Sequence, residues 1–246
     1  MSLLGNLTTD SDIKTEEDRV GGIRLFDSGV YDGKISMAYV TESKGGAMCL
    51  NVNFDIDGRE LRQRFWMTSG KAKGQRNYYE TKDGAKAYLP GFNMANSLCL
   101  LTVGKEINAM DTDSKMLKLW SPEAKAEVPT EVPVVTGLLG QEITLGVVKQ
   151  TVDKMAKGDS GAYEPTGETR EENEVDKFFR TKDKLTTAEI RAQVTEPGFF
   201  DTWKSKFTNT VRDKTRKRST NSTAKTSSAL GGSAGSAGKP TESLFS

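Results

Sequence analysis

Three consecutive segments between residues 34 and 67 alternate apolar and polar side chains with a period of two. That is the period of a β-strand with one buried face. Gly45-Gly46 and Asp57-Gly58 separate the segments, and Asp-Gly between two such runs is a strong hairpin signal. The pattern therefore predicts a three-stranded antiparallel meander. Its predicted core side chains are Ile35, Met37 and Tyr39, then Met48, Leu50, Val52, Phe54 and Ile56, and finally Leu61, Phe65 and Met67.

The rest of the chain predicts a helix, an irregular hairpin and two further strands. Apolar residues from Phe92 to Leu101 follow helical spacing and end near Gly104. Prolines interrupt an excursion over residues 115–135, a fourth strand runs from Ile143 toward Val152, residues 158–172 are a polar loop, and residues 175–180 are a fifth strand. Thr186 and Glu189 form a capping box for a helix that Pro197-Gly198 ends, with Leu185 and Ile190 spaced as a hydrophobic staple.

This order of elements predicts a mainly β fold. It matches a five-stranded OB-fold-like barrel with short helices, an extra hairpin excursion and a disordered C-terminal tail. Other small barrels share the order. We expect a flexible segment over residues 1–22, the barrel domain over 23–200, and a tail over 201–246.

The tail differs from the body in charge and composition. From residue 203 to the end there are nine basic and two acidic residues, a net charge of +7, whereas the whole chain carries +1. Residues 227–238 are Ser, Ala and Gly apart from Leu230, a composition typical of a flexible linker. Two large apolar residues, Leu244 and Phe245, lie at its tip and are either an inert end or a peptide that docks in a partner's pocket.

The composition excludes several kinds of active site. The chain has no histidine, so Ser-His-Asp and Cys-His catalysis and histidine-ligated zinc are excluded. The sequence Gly158-Asp159-Ser160-Gly161 therefore indicates a turn rather than a nucleophile loop. Two cysteines, Cys49 and Cys99, are too few for a disulfide framework. With no secretory signal evident and no long apolar run, we expect a cytoplasmic protein that holds no cofactor and no metal.

The third strand carries the most informative polar face. Arg62, Arg64 and Trp66 alternate with its core residues, and a basic stretch with tyrosines follows. Cations neutralise phosphates, and exposed aromatic rings stack on bases without reading their sequence. The cluster therefore predicts a site for single-stranded nucleic acid, although a solvated barrel face would have the same pattern. The candidate DNA-binding residues are Arg59, Arg62, Arg64, Trp66, Lys71, Lys73, Arg76, Tyr78, Tyr79 and Lys82.

A run of carboxylates suggests a weaker alternative. Such a run could hold the metal ions of a nuclease, but it is more typical of a solvated loop. The run consists of Glu168, Glu171, Glu172, Glu174 and Asp176.

Several segments resemble bacteriophage-encoded single-stranded DNA-binding proteins. The most extensive is LPGFNMANSLCLLTVGK, residues 89–105, and LLGQEITLGV at 138–147 is similar too. Shorter similarities are YEPTGETR at 163–170, DKFF at 176–179, LTTAEI at 185–190, and a Gly/Ser/Ala linker ending in Ser-Leu-Phe at 243–245. Together they cover about residues 25–205 and the last four.

The resemblance implies an OB-fold body that coats single-stranded DNA in phage replication and recombination, in the cytoplasm of the infected bacterium. It also implies that the C-terminal tip, Leu244 and Phe245, contacts replication proteins such as a polymerase, helicase or primase. Many relatives have an acidic tail that competes with DNA, whereas this tail is basic. The alternative function is a protein-interaction adaptor on a β-barrel, with the basic tail as a non-specific tether.

Overall fold

The computed structural model describes residues 25–216, apart from residues 122, 159, 160 and 162. The predicted meander is confirmed as β1 (Gly29–Glu42), β2 (Met48–Ile56) and β3 (Arg59–Trp66), in which β2 pairs antiparallel with both neighbours. Most of the predicted core residues of β2 and β3 are buried, but Met48 is 39% exposed at the start of β2.

A β-bulge in β1 changes which of its side chains face the core. The register with β2 shifts between Ile35 and Met37. One extra residue reverses the alternation of every side chain that follows. Ile35 and Ala38 are consequently fully buried, whereas Met37 and Tyr39 are only partly buried. The prediction that Met37 and Tyr39 share the core face with Ile35 is therefore wrong.

The polar stretch after β3 leads into a small sheet and a helix. β4 (Tyr78–Glu80) and β5 (Lys86–Tyr88) pair with each other in a separate two-stranded sheet. The predicted helix is confirmed as α1 (Pro90–Thr102), with proline at its first position. Its buried residues, Ala95, Leu98, Cys99 and Leu101, belong to the main core.

The excursion after α1 is more regular than its prolines predicted. β6 (Asp113–Ser121) and β7 (Ala126–Val134) pair in unbroken antiparallel register, even at Pro129 and Pro133. These two prolines are four residues apart, so their nitrogen atoms point to the same edge of β7. The unbroken ladder indicates that this is the edge away from β6, so neither proline removes an N–H donor from the β6–β7 ladder.

The longest hairpin contains the fourth and fifth strands of the prediction. β8 (Glu142–Lys157) pairs with β1 on one side and with β9 (Tyr163–Phe179) on the other. Residues 158–172 were predicted as a polar loop, but most of them are the first half of β9. This outer ribbon is largely exposed on both faces, so its sequence shows no apolar alternation.

Three elements complete the described chain: α2 (Thr187–Arg191), α3 (Gly198–Phe207) and β10 (Val211–Asp213), which runs parallel to β8. The capping box is confirmed, since Thr186 and Glu189 exchange hydrogen bonds. However, α2 ends at Arg191, and Pro197-Gly198 begins α3 instead of ending α2. The predicted domain boundary at residue 200 falls inside α3, in which Trp203 is only 2% exposed.

The main core lies between the sheet and α1, where Phe178 of β9 packs against Phe54 and Phe65 with ring centroids 5.9 and 5.8 Å away. Among the described residues, no backbone ladder joins β3 to β9. The amide of Gln63 bridges these strands, since its Nε2 donates to the Asn173 carbonyl at 3.0 Å and its Oε1 accepts from the Val175 N–H at 3.1 Å. Over the described ranges, no helix is long and apolar enough to span a bilayer.

Candidate nucleic-acid interface

A groove with a volume of about 1200 Å³ lies on the outer face of the meander. Its floor is the outward side of β1, β2 and β3, one wall is the β6–β7 hairpin, and the other wall is the base of the β8–β9 hairpin. Its lining includes Tyr39, Asn51, Asn53, Arg62, Arg64 and Trp66 on the floor, Lys118, Trp120 and Glu127 on the hairpin wall, and Gln150, Glu172, Asn173 and Glu174 on the other wall.

Trp66 lies in this groove as the strand alternation predicted, and it is 45% exposed. It is the last residue of β3 and is paired with Cys49 of β2. The first turn of α1 packs directly on its backbone: a Cβ atom added to Gly91 would lie 2.2 Å from the Trp66 carbonyl oxygen. Only glycine allows this approach, so α1 holds the strand end that carries the indole.

Tyr39 joins the groove because of the β1 bulge. It pairs with Asn51 of β2, which in turn pairs with Arg64 of β3. Partial burial, opposed by the charge of Arg62, raises the pKa of the Tyr39 phenol, so its ring is neutral at physiological pH. The outward position of Tyr39 could not be predicted from the sequence, because a bulge has no reliable signal in the alternation itself.

Trp120 is the most exposed tryptophan, with 65% of its surface accessible. It lies on β6 with Lys118 on the same side of the strand, and both residues line the groove. Neither residue was predicted as a site residue, because three nearby prolines indicated irregular structure. Near the tip of the hairpin, Glu123 forms a 2.6 Å ion pair with Lys44 of the β1–β2 turn.

The cationic side chains of the groove differ in whether they form ion pairs with neighbouring carboxylates. Arg62 forms a 2.6 Å ion pair with Glu60. By contrast, Arg64 and Lys118 form no hydrogen bond or ion pair with any described residue. Both are exposed, so they are available to an anionic ligand.

Most of the groove's carboxylates are neutralised by neighbouring cations. Besides the Glu60–Arg62 pair, Glu172 accepts from Arg170 at 3.0 Å. Glu174 is bound by both Arg212 and Lys214 of the β10 segment, at 3.4 and 2.5 Å. Glu127, opposite Trp120 on the hairpin, has no cation among its described neighbours. The unengaged charge of the groove is therefore two cations against one carboxylate.

The other predicted DNA-binding residues do not line this groove. Lys71 and Lys73 lie in a short 3-10 turn, and Lys71 forms a 2.8 Å ion pair with Glu42. Arg76 and Lys86 lie over the ring of Tyr78 in the β4–β5 sheet. Tyr79 and Lys82 belong to the same small sheet and its turn, and both are exposed. These candidate residues therefore lie outside the groove.

Arg59 does not line the groove, but it contacts a residue that does. Its guanidinium is 3.9 Å from the centroid of the Phe26 ring, and Phe26 lines the groove. Arg59 therefore contacts the margin of the groove through an aromatic ring.

The carboxylates of the β9 run form ion pairs with different neighbouring cations. Glu168 pairs with Lys154 and Glu171 with Lys149, each at 2.9 Å, while Asp176 accepts from Arg212 and from the Trp203 indole. In the described part of the chain, no three His, Cys, Asp or Glu side chains are grouped as metal ligands. In the turn between β8 and β9, Gly158 accepts from the Gly161 N–H, while Asp159 and Ser160 lie outside the described residues.

The predicted partner-binding tip, Leu244 and Phe245, also lies outside the described residues. Comparison with known proteins adds no assignment: no protein-family model matches the sequence, and no curated protein matches it significantly.

Proposed function

We propose that this chain is a non-enzymatic single-stranded DNA-binding protein of bacteriophage replication and recombination. The observation that carries the proposal is the groove, in which exposed Trp66 and Trp120 lie together with the unengaged cations Arg64 and Lys118. Stacking needs an exposed ring and phosphate binding needs an uncommitted cation.

The strand order supports the proposal. β1 pairs with both β2 and β8, α1 follows β3, and β9 pairs with β8. This is the order of an OB-fold, to which the Gln63 bridge between β3 and β9 adds a contact where the barrel would close. OB-folds bind oligonucleotides on the face of their second and third strands, between two long connections. The groove occupies that face.

In the proposed complex, bases stack on Trp66 and Trp120, and the Tyr39 ring adds a third aromatic surface. Arg64 and Lys118 contact phosphates, which releases counterions and makes the affinity depend on salt. Every base has a π-face, so most of the binding energy does not depend on sequence. Coating of this kind would protect the strand, and the C-terminal tip would recruit replication proteins in the host cytoplasm.

Fluorescence titration with oligo-dT tests the proposal, because the chain has three tryptophans and they differ in exposure. Trp66 and Trp120 line the groove, whereas Trp203 is buried and provides an internal control. We expect single-stranded DNA to quench the wild-type emission more strongly than duplex DNA does. The remaining emission of the Trp66→Phe, Trp120→Phe double variant should not respond.

Affinity measurements on variants with single substitutions complete the test. Trp66→Ala and Trp120→Ala should each weaken binding by about 1–3 kcal/mol. Arg64→Gln should reduce the slope of log affinity against log salt by about 0.7. Tyr163→Ala is the matched control, since this exposed tyrosine lies near the outer end of the β8–β9 hairpin, away from the groove-lining residues. Unchanged affinity in both tryptophan variants, with binding that requires the basic tail, would support the adaptor alternative.

A further inference from the structure

Three amide side chains of the groove have a carbonyl oxygen that is open to a donor, while the NH₂ group of each donates to a neighbouring oxygen atom. Asn51 Nδ2 donates to Thr41 Oγ1 at 2.8 Å, Asn53 Nδ2 to Glu60 Oε1 at 2.8 Å, and Gln150 Nε2 to Glu172 Oε1 at 3.0 Å. The carbonyl oxygens of these three amides accept no hydrogen bond from any described residue.

The partners of each amide determine its orientation. Glu60 and Glu172 present carboxylate oxygens, which only accept, so the amide atom that faces them must be the NH₂ group. Asn51 Nδ2 also lies 3.4 Å from two backbone carbonyl oxygens, those of Tyr39 and Cys49. Rotating any of these amides by 180° would place two acceptors together. The amide oxygens are therefore oriented so that they can accept from a ligand.

Gln150 gives the clearest indication of a missing donor. Its side chain lines the groove but is only 4% exposed, and its Oε1 is buried without a hydrogen bond from the described residues. A buried acceptor without a donor is costly, and a ligand that donates to it removes that cost. By contrast, the amide of Asn173 on the same wall is satisfied at both ends by the backbone of Phe26.

Building on the proposed function, we infer that the groove prefers bases with exocyclic amino groups, and therefore favours cytosine over thymine. Cytosine and adenine each carry an amino group with two N–H donors. Thymine has a single ring N–H between two carbonyl oxygens, so it offers these amide oxygens fewer donors than cytosine does. Asn51, Asn53 and Gln150 thus add a base preference to stacking that is otherwise tolerant of sequence.

Competition binding of pyrimidine oligomers of equal length tests this inference. We expect wild-type protein to bind oligo-dC about three- to ten-fold more tightly than oligo-dT, the effect of about one net hydrogen bond. Oligo-dU should bind like oligo-dT, which separates the amino group from the thymine methyl group. Replacing both N4 hydrogens of each cytosine by methyl groups should remove the preference for oligo-dC over oligo-dT without any change to the protein. Oligo-U is the fourth ligand, because its 2′-hydroxyl is also a donor.

Two variants assign the effect to the amides. Asn53→Leu and Gln150→Met remove the acceptors and should bring the ratio of dC to dT affinity toward one, with dT affinity nearly unchanged. Asn93→Leu on the exposed face of α1 is the control and should keep the wild-type ratio. Equal affinity of the wild type for dC and dT, or an undiminished ratio in both groove variants, would overturn the preference while leaving the proposed function intact. Tighter binding of oligo-U than of oligo-dU would indicate that the amide oxygens accept from the ribose 2′-hydroxyl rather than from a base amino group. Failure to bind any single strand would overturn both proposals.

Discussion

Replacing Gly91 by alanine tests whether α1 fixes the end of β3 that carries Trp66. The new Cβ atom would lie 2.2 Å from the Trp66 carbonyl oxygen, 2.7 Å from its nitrogen and 2.8 Å from its carbonyl carbon. Because all three are backbone atoms, no side-chain rotation relieves the clash. The helix terminus or the strand end must move by about 0.8 Å before the closest distance reaches even 3.0 Å.

We expect this overpacking to cost about 1–3 kcal/mol in the free energy of unfolding. For a body of this size each kcal/mol lowers Tm by about 2–4 °C, so the expected decrease is about 2–12 °C. Thermal unfolding followed by circular dichroism measures it. A lower affinity for oligo-dT should accompany it, because Trp66 moves with its backbone.

Gly198→Ala is the matched control. Gly198 also lies in the first turn of a helix, but an added Cβ would have nothing within 4 Å. Alanine there should leave stability unchanged or raise it by about 0.4–1 kcal/mol, because it reduces the entropy of the unfolded chain. If Gly91→Ala is as stable as Gly198→Ala, the close packing of α1 on Trp66 is refuted.

Two further predictions concern the buried thiols and the tail. Burial raises the pKa of Cys49 to about 11 and that of Cys99 to about 12, from an ordinary value of 9.0. Their contribution to stability is therefore complete below pH 9 and is lost as the pH rises toward 11–12. Urea unfolding at a series of pH values measures this effect. The free energy of unfolding of the wild type should fall more steeply at alkaline pH than that of a Cys49→Ser, Cys99→Ala variant. If the proposed function holds, deleting residues 244–246 should leave oligo-dT affinity nearly unchanged but abolish capture of the proposed partners, a phage polymerase, helicase or primase. Retained capture would exclude docking through Leu244 and Phe245.

The elements that the sequence predicted best are those with a complete local signal. The alternation in β2 and β3 predicted both the core residues and the outward positions of Arg62, Arg64 and Trp66, because burial of one sheet face imposes a period of two. The capping box at Thr186 was equally readable, since both partners lie within one helical turn.

Other features follow from the sequence only in part. Lys118 and Trp120 of β6 are evident in the sequence as a cation and an aromatic residue. Nothing in the local sequence indicates that their hairpin lies beside the outer face of the meander. Similarly, the Lys71–Lys82 region was recognised as basic and aromatic, yet the fold places it in a different turn and sheet from Trp66.

Tertiary structure alone decided how the groove is assembled. The bulge after Ile35 turns Tyr39 outward, and the pairing of β9 with β8 brings Glu172 and Glu174 into the groove that Arg62 and Arg64 also line. Hydrogen bonds between paired strands then orient the amides of Asn51, Asn53 and Gln150 and leave their oxygens open. The sequence by itself determined the strands and their exposed faces, because the period of the pattern reflects which side of a strand is buried. The faces that meet across the groove depend on long-range packing, which the local pattern does not encode.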